Sequence, residues 1–197
     1  MVAATSEEGS IVTNGMSEYS RMADNSNSAI LVSVKPSDFA SESPLAGIEY
    51  QEQIERQAYC LSSGYAAPAI ALEALLSGDV YSASTEVAPS YPRGTICASP
   101  DKYMPEYISA SIIEGMREFD AWLPGFASGG AVLTGPETRT TSPVRILRGE
   151  SGECPTMRGL YPCGEGAGYA GGIVSSATDG LRMAEKLIIA FAKGYPC

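Results

Sequence analysis

Between positions 164 and 172 the sequence places five glycines, Gly164, Gly166, Gly168, Gly171 and Gly172, around one carboxylate, Glu165. Glycine has no Cβ, so it takes positive φ and lets a ligand approach the backbone closely. Downstream, Ile173, Ala177, Leu181, Ala184, Ile188 and Phe191 recur at spacings of four, four, three, four and three, which predicts one apolar stripe along a helix. The first N–H groups of that helix have no acceptor inside it and carry partial positive charge, so they suit an electron-rich ligand atom in the turn. Glu165 can accept hydrogen bonds from sugar or polyol hydroxyls. Upstream, residues 160–163 read as the end of a strand. Strand, glycine turn and helix together form the layout that brings a phosphorylated cofactor to a helix N-terminus.

The literal pattern Gly-x-Gly-x-x-Gly occurs as Gly166, Gly168 and Gly171. As the opening of a dinucleotide-binding unit it needs a second strand and an acidic residue about 20 positions further on. Only 26 residues follow Gly171 and they read as one helix and a short tail, so the turn is expected at the end of a cofactor domain instead.

The sequences GLYPCGEGAGYAGGI at 159–173 and DGLRMAE at 179–185 resemble the C-terminal flavin motif of FAD-dependent dehydrogenases of the FAD/NAD(P)-binding oxidoreductase type. TGPETRTTSPVRI at 134–146, IVTNGM at 11–16 and NSNSAILV at 25–32 are similar to the same family. The resemblance implies that Gly164 and Glu165 face the ribityl chain of FAD, and that Gly171 to Ile173 lie near the flavin ring. There a helix N-terminus stabilises the negative charge that reduction leaves on the ring. The implied cofactor-binding set is Gly164, Glu165, Gly166, Ala167, Gly168, Gly171, Gly172 and Ile173. Arg139 and Arg145 offer paired donors to FAD pyrophosphate or a substrate acid, or else pair with Glu137 or Glu150. Cys163 reads either as a small residue at a strand end or as a thiol for redox chemistry beside the flavin. Asn14 and Asn27 read as turn formers. Members of the family carry an N-terminal Gly-x-Gly-x-x-Gly for the ADP half of FAD, which is absent here. The expectation is therefore a C-terminal part that retains FAD weakly and lacks the N-terminal half of the flavin domain as a partner. Relatives in plants are expected in plastids.

The 197 residues carry 13 basic and 23 acidic side chains, a net charge of −10, and no basic cluster that would favour nucleic acid or an anionic membrane. No apolar run approaches the roughly 20 residues of a transmembrane helix. The first ten residues, MVAATSEEGS, lack the basic and apolar regions of a secretory signal, so a soluble, intracellular protein is expected. Histidine is absent, and the cysteines at 60, 97, 154, 163 and 197 include no Cys-x-x-Cys. No metal site is expected, and the thiols read as free in a reducing compartment.

The positioning elements follow from punctuation and period. Residues 11–13 lead as a strand into an Asn14-Gly15 turn, and residues 29–34 alternate as a strand with Ile30, Val32 and Val34 on one face. Ser43-Pro44 starts a helix that runs to about Leu61. A short helix is expected over 68–76, ending near Gly78. Residues 79–105, with four prolines, form an irregular connection. A helix over 105–123 carries Ile108, Ile112, Met116, Phe119 and Leu123 on its apolar side, with Glu106, Glu114, Glu118 and Asp120 solvated. Residues 131–134 and 145–147 read as strands, and 149–156 as a polar loop.

The fold expected is α/β, the C-terminal part of an FAD/NAD(P)-binding flavoprotein fold with a mostly helical substrate or cap region. Residues 1–34 would give strands of the flavin and substrate core, 35–129 the cap region, and 130–197 the FAD-binding segment. The activity implied by resemblance is hydride transfer between flavin and a small organic substrate, with NAD(P) as an electron donor and no catalytic residue identified. The alternative is a truncated, non-catalytic remnant that does not hold FAD.

Overall fold

The computed structural model describes residues 1–197 except 5, 40, 63, 80–86, 129 and 193–197. The chain is mixed α/β: strands β1 (Val2–Ala3), β2 (Thr13–Asn14), β3 (Ala67–Ala71), β4 (Thr95–Cys97) and β5 (Val132–Thr134), and helices α1 (Ala46–Ser62), α2 (Leu72–Ser77), α3 (Glu106–Trp122) and α4 (Ile173–Ala192). It divides into two compact units. Unit 1 comprises Met1–Phe39 with Glu49–Thr138, and unit 2 comprises Ala40–Ile48 with Arg139–Cys197.

Unit 1 is built on a three-stranded sheet of order β4-β3-β5. The central strand pairs parallel with β4, Pro68 opposite Ile96, and antiparallel with β5, Ile70 opposite Leu133. A helix over 68–76 was expected, but the first half of that stretch is this strand. Alanines at 67, 69 and 71 favour a helix locally. They also make a strand small enough to be buried along its whole length, and all five of its residues are. Pro68 gives no donor to the ladder, yet its carbonyl accepts from Gly135 N at 3.1 Å. The helical half survives as α2, closed by Gly78 at φ 78°. The sheet and α2 pack with Ile108, Ile112 and Met116 of α3 into one apolar cluster. A second cluster gathers Ile11, Ile54, Ala58, Ala67, Tyr91 and Tyr103.

Residues 29–34 form no strand. Ile30, Val32 and Val34 do pack on the first cluster while Leu31 is exposed, so the expected alternation holds without a ladder partner. Residues 11–13 are buried, and Thr13 is fixed by its N–H and hydroxyl, both donating to Pro136 O at 2.8 and 3.0 Å. The chain does not turn at Asn14-Gly15. Instead Asn27 Nδ2 donates to Met16 O at 3.0 Å and folds the polar loop back on itself. Within the connection 79–105 the described part contains β4 and a 3-10 turn, Pro100–Lys102. The part of it at 80–86 lies outside the described residues.

Unit 2 is a long helix, α4, clasped by irregular chain. The expected strands at 145–147 and 160–163 are absent. Their backbone groups go into turns: Ile146 N donates to Ala167 O, and Leu160 O accepts from Cys154 N. No described helix is long and apolar enough to cross a membrane. Cys60, Cys97, Cys154 and Cys163 are free thiols.

Candidate functional site

The glycine turn lies wholly in unit 2 and leads into α4, which starts at Ile173. Two of its glycines are required by backbone conformation, Gly164 at φ 74° and Gly168 at φ 82°. At Gly168 the requirement is also steric, because a Cβ there would overlap Val144 O and stand 3.0 Å from Arg145 Cα. The turn closes on itself through Gly168 N to Glu165 O at 2.8 Å and Tyr169 N to Gly164 O at 3.0 Å.

Beneath it lies a charged anchor. Arg148 grips Asp179 with two parallel bonds, Nη2 to Oδ1 at 2.6 Å and Nη1 to Oδ2 at 2.9 Å. Gly164 N donates to the same Oδ2 at 2.9 Å, and Arg148 Nη1 also reaches Pro162 O at 2.8 Å. The guanidinium stacks on Tyr169, 3.6 Å from the ring centroid, and the Tyr169 hydroxyl donates to Ile146 O at 3.1 Å. Only 15% of the Arg148 side chain and 10% of the Asp179 side chain are exposed, so water screens the pair little. The guanidinium, followed by the Gly164 N–H, holds the Asp179 carboxyl down to about 2. Asp179 raises Arg148 in turn.

The other side of the turn is open. Glu165, Gly166, Gly171 and Ile173 are exposed, and a Cβ on Gly166 would meet nothing within 4 Å. Ser176 N already donates to Gly172 O at 2.9 Å. The N–H groups of Ile173, Val174 and Ser175 have no acceptor one turn earlier in the helix. The arrangement can present donors and one carboxylate to a flat, polar ligand edge. Ser176 Oγ is buried without a hydrogen-bond partner, and its Cβ would stand 3.9 Å from a Cβ on Gly164.

Of the residues marked from sequence, Gly164, Glu165, Gly166, Ala167, Gly168, Gly171, Gly172 and Ile173 form this one contiguous turn. Ala167 is buried, and its carbonyl already accepts from Ile146 N at 3.2 Å. Arg145 joins them, with Nε donating to Gly168 O at 3.0 Å and its guanidinium 5.0 Å from the Tyr169 centroid. Arg139 is exposed at the start of the second segment of unit 2. Cys163 is exposed at the entrance to the turn. Sequence reasoning missed Arg148, Tyr169 and Asp179. One signal was available: Asp179 is the first charged residue of α4, after six uncharged ones, and an acid that becomes buried needs a partner.

Residues 1–140 match the model of the family described as FAD-dependent protein, C-terminal domain-like. The glycine turn lies beyond the matched stretch. A Clostridium beijerinckii (strain ATCC 51743 / NCIMB 8052) protein, described as an uncharacterized protein, is 45% identical over 192 residues, 97% of this chain. The chain spans 36% of that relative's length.

Proposed function

The chain belongs to the family of FAD-dependent proteins, C-terminal domain-like, and from that premise we propose that its glycine turn and the N-terminus of α4 seat the flavin end of FAD in an oxidoreductase. The observation that carries this reading is the asymmetry of the turn. It is pinned from below by Arg148, Asp179 and Tyr169 and left open above at Glu165, Gly166 and Gly171. A cradle rigid on one side and bare on the other suits a planar ligand that must be held in one orientation. Bound FAD supplies hydride acceptance and donation, with a small organic substrate as the reaction partner and NAD(P) as an electron donor. Glu165 accepts from a ribityl hydroxyl. The N–H groups of Ile173, Val174 and Ser175 hold developing negative charge at the ring edge. Arg145 buttresses the turn through Gly168 O. Arg139 contacts a phosphate or a substrate acid.

A second reading is that this chain alone does not hold FAD, and its support is the 36% share of the relative that it spans. Titration of FAD into the purified chain, followed by flavin absorbance and fluorescence, separates the two. On the first reading binding is saturable and about tenfold or more weaker in Glu165→Gln, since a hydrogen bond to a charged group contributes about 1.5–3 kcal/mol. Gly171→Val removes it, because a new side chain would already meet Thr141 at 3.2 Å and would crowd the ligand. If the chain does not bind, the same substitutions are made at the aligned positions of the C. beijerinckii protein. Unchanged FAD content there rejects the flavin seat.

A further inference from the structure

A groove of about 600 Å3 runs along α1 within unit 1, and its lining includes Glu49, Gln53, Arg56, Gln57 and Cys60 of the helix and Lys102 of the 3-10 turn. That volume is within the range of small-molecule sites, about 300–1,000 Å3. Its two walls stand on one core, since Ile54 and Ala58 of α1 and Tyr103, next to Lys102, belong to the second apolar cluster. Lys102 N donates to Ser99 O at 3.1 Å and Met104 N to Pro100 O at 2.8 Å, which fixes the turn. The groove therefore exists before any ligand arrives. Its charges are laid out along the helix. Arg56 Nη2 meets Glu52 Oε2 at 2.6 Å, and Lys102 Nζ meets Asp101 Oδ2 at 3.0 Å. Each cation keeps unused donors, because a guanidinium has five N–H groups and an ammonium three. The side chains of Glu49, Gln53, Gln57 and Cys60 have no polar partner among the described residues. Glu49 and Arg56 are seven residues apart, two turns on one face, and so about 10 Å along the axis. Gln53 stands between them.

We propose that this groove binds a free tripeptide, with the peptide's ammonium at Glu49 and its carboxylate at Arg56 and Lys102. A ligand of one sign does not suit the lining, since Glu49 repels an anion and the two cations repel a cation. A zwitterion suits both ends, and the spacing sets its length. A single amino acid carries both charges on one carbon and cannot reach from Glu49 to Arg56. An extended chain covers about 3.3–3.6 Å per residue, so three residues span about 10 Å. Gln53 offers a donor and an acceptor to the peptide groups between the two ends, and Gln57 does the same one turn further on. Both ends of the ligand keep water, and an exposed ion pair contributes at most about 1 kcal/mol. Binding is therefore expected in the millimolar range, and it requires both ends at once. The groove and its ligand are independent of what the glycine turn holds.

Cys60 supplies a native reporter, because it lines the groove one turn beyond Arg56, and Cys97, also exposed, is the control. Maleimide labelling of the two thiols in the full chain is followed by mass spectrometry in the presence of trialanine, alanine, or trialanine acetylated and amidated at its ends. Expected is ready labelling of Cys60 in the free chain and a saturable, severalfold slowing by millimolar trialanine. Alanine and the capped tripeptide should leave Cys60 unprotected, and Cys97 should label at one rate throughout. Glu49→Gln and Arg56→Gln, both at exposed positions, should each raise the half-saturating trialanine concentration by about fivefold, the contribution of one exposed ion pair. Four results overturn the proposal. One is a Cys60 that does not label in the free chain, since the groove is then covered. The others are labelling that trialanine does not slow, equal protection by alanine or the capped tripeptide, and equal half-saturation in the native chain and both variants.

Discussion

Replacing Asp179 with Asn tests whether the glycine turn is held by the Arg148 pair. The carboxylate accepts three bonds, two from Arg148 and one from Gly164 N. Asparagine keeps the shape but turns an NH2 toward at least one of these donors, and the charge is lost. The native carboxyl is held at about 2 against an ordinary 3.8, a difference worth about 2 kcal/mol at about 1.4 kcal/mol per pH unit. Removing one member of a well-buried pair costs about 3–5 kcal/mol. Arg148 and Asp179 keep 15% and 10% exposure, so the lower figure is expected. The effect should be local to unit 2. Amide exchange over residues 160–187 should therefore accelerate about 30-fold at neutral pH, the equivalent of about 2 kcal/mol. Trp122, the only tryptophan, lies in unit 1, so urea unfolding followed by its fluorescence should be unchanged.

The pH dependence gives an independent check. A carboxyl whose folded value lies below its unfolded value stabilises the fold fully above the unfolded value, and that stabilisation fades as pH falls through the folded one. For Asp179 the window runs from about 4 down to about 2. The difference between native protein and Asp179→Asn should be full at pH 7, about half at pH 3, and gone near pH 1. Subtracting the variant removes the contribution of the other carboxylates. Less than a twofold change in exchange over 160–187, or a difference that does not shrink by pH 3, would show that the pair does not anchor the turn.

Two further substitutions probe the same framework. Gly168→Ala puts a Cβ into Val144 O at a φ of 82° and should destabilise unit 2 by about 1–3 kcal/mol, seen as faster amide exchange over 164–172 with Trp122 fluorescence unaffected. In unit 1, Thr138→Val removes the 2.6 Å bond from Thr138 Oγ1 to the fully buried Glu55 Oε1. That should lower the urea midpoint read at Trp122 by the equivalent of about 1.5–3 kcal/mol, with exchange in unit 2 unchanged.

What the sequence made legible was decided by how local the controlling physics is. Gly78 ends α2, and the helix expected over 105–123 is α3, Glu106–Trp122, because caps and apolar period act within a few residues. The glycine turn was legible for the same reason, since five glycines in nine residues exceed what one chain reversal needs. The strand β3 was not, because its neighbours β4 and β5 come about 30 and 65 residues later in sequence and only their pairing overrides the helix preference of its alanines. Residues 29–34 show the converse. Their alternation put Ile30, Val32 and Val34 on one face, and these three do pack on the first cluster, yet alternation alone cannot supply a ladder partner.

The anchor of the site was illegible for a related reason. Arg148 and Asp179 stand 31 residues apart, and nothing in the spacing of either marks the other. The consequence for α4 is specific. Its hydrophobic period pointed to one apolar stripe, but the buried residues of the helix are Asp179 and Met183, which lie off that stripe. A periodic pattern reports that a face is meant to be covered and does not say by what. The side of α4 that carries Asp179 fixes the helix under the glycine turn through one ion pair. The Arg148 pair and the Gly152 contact position it without using the stripe at all.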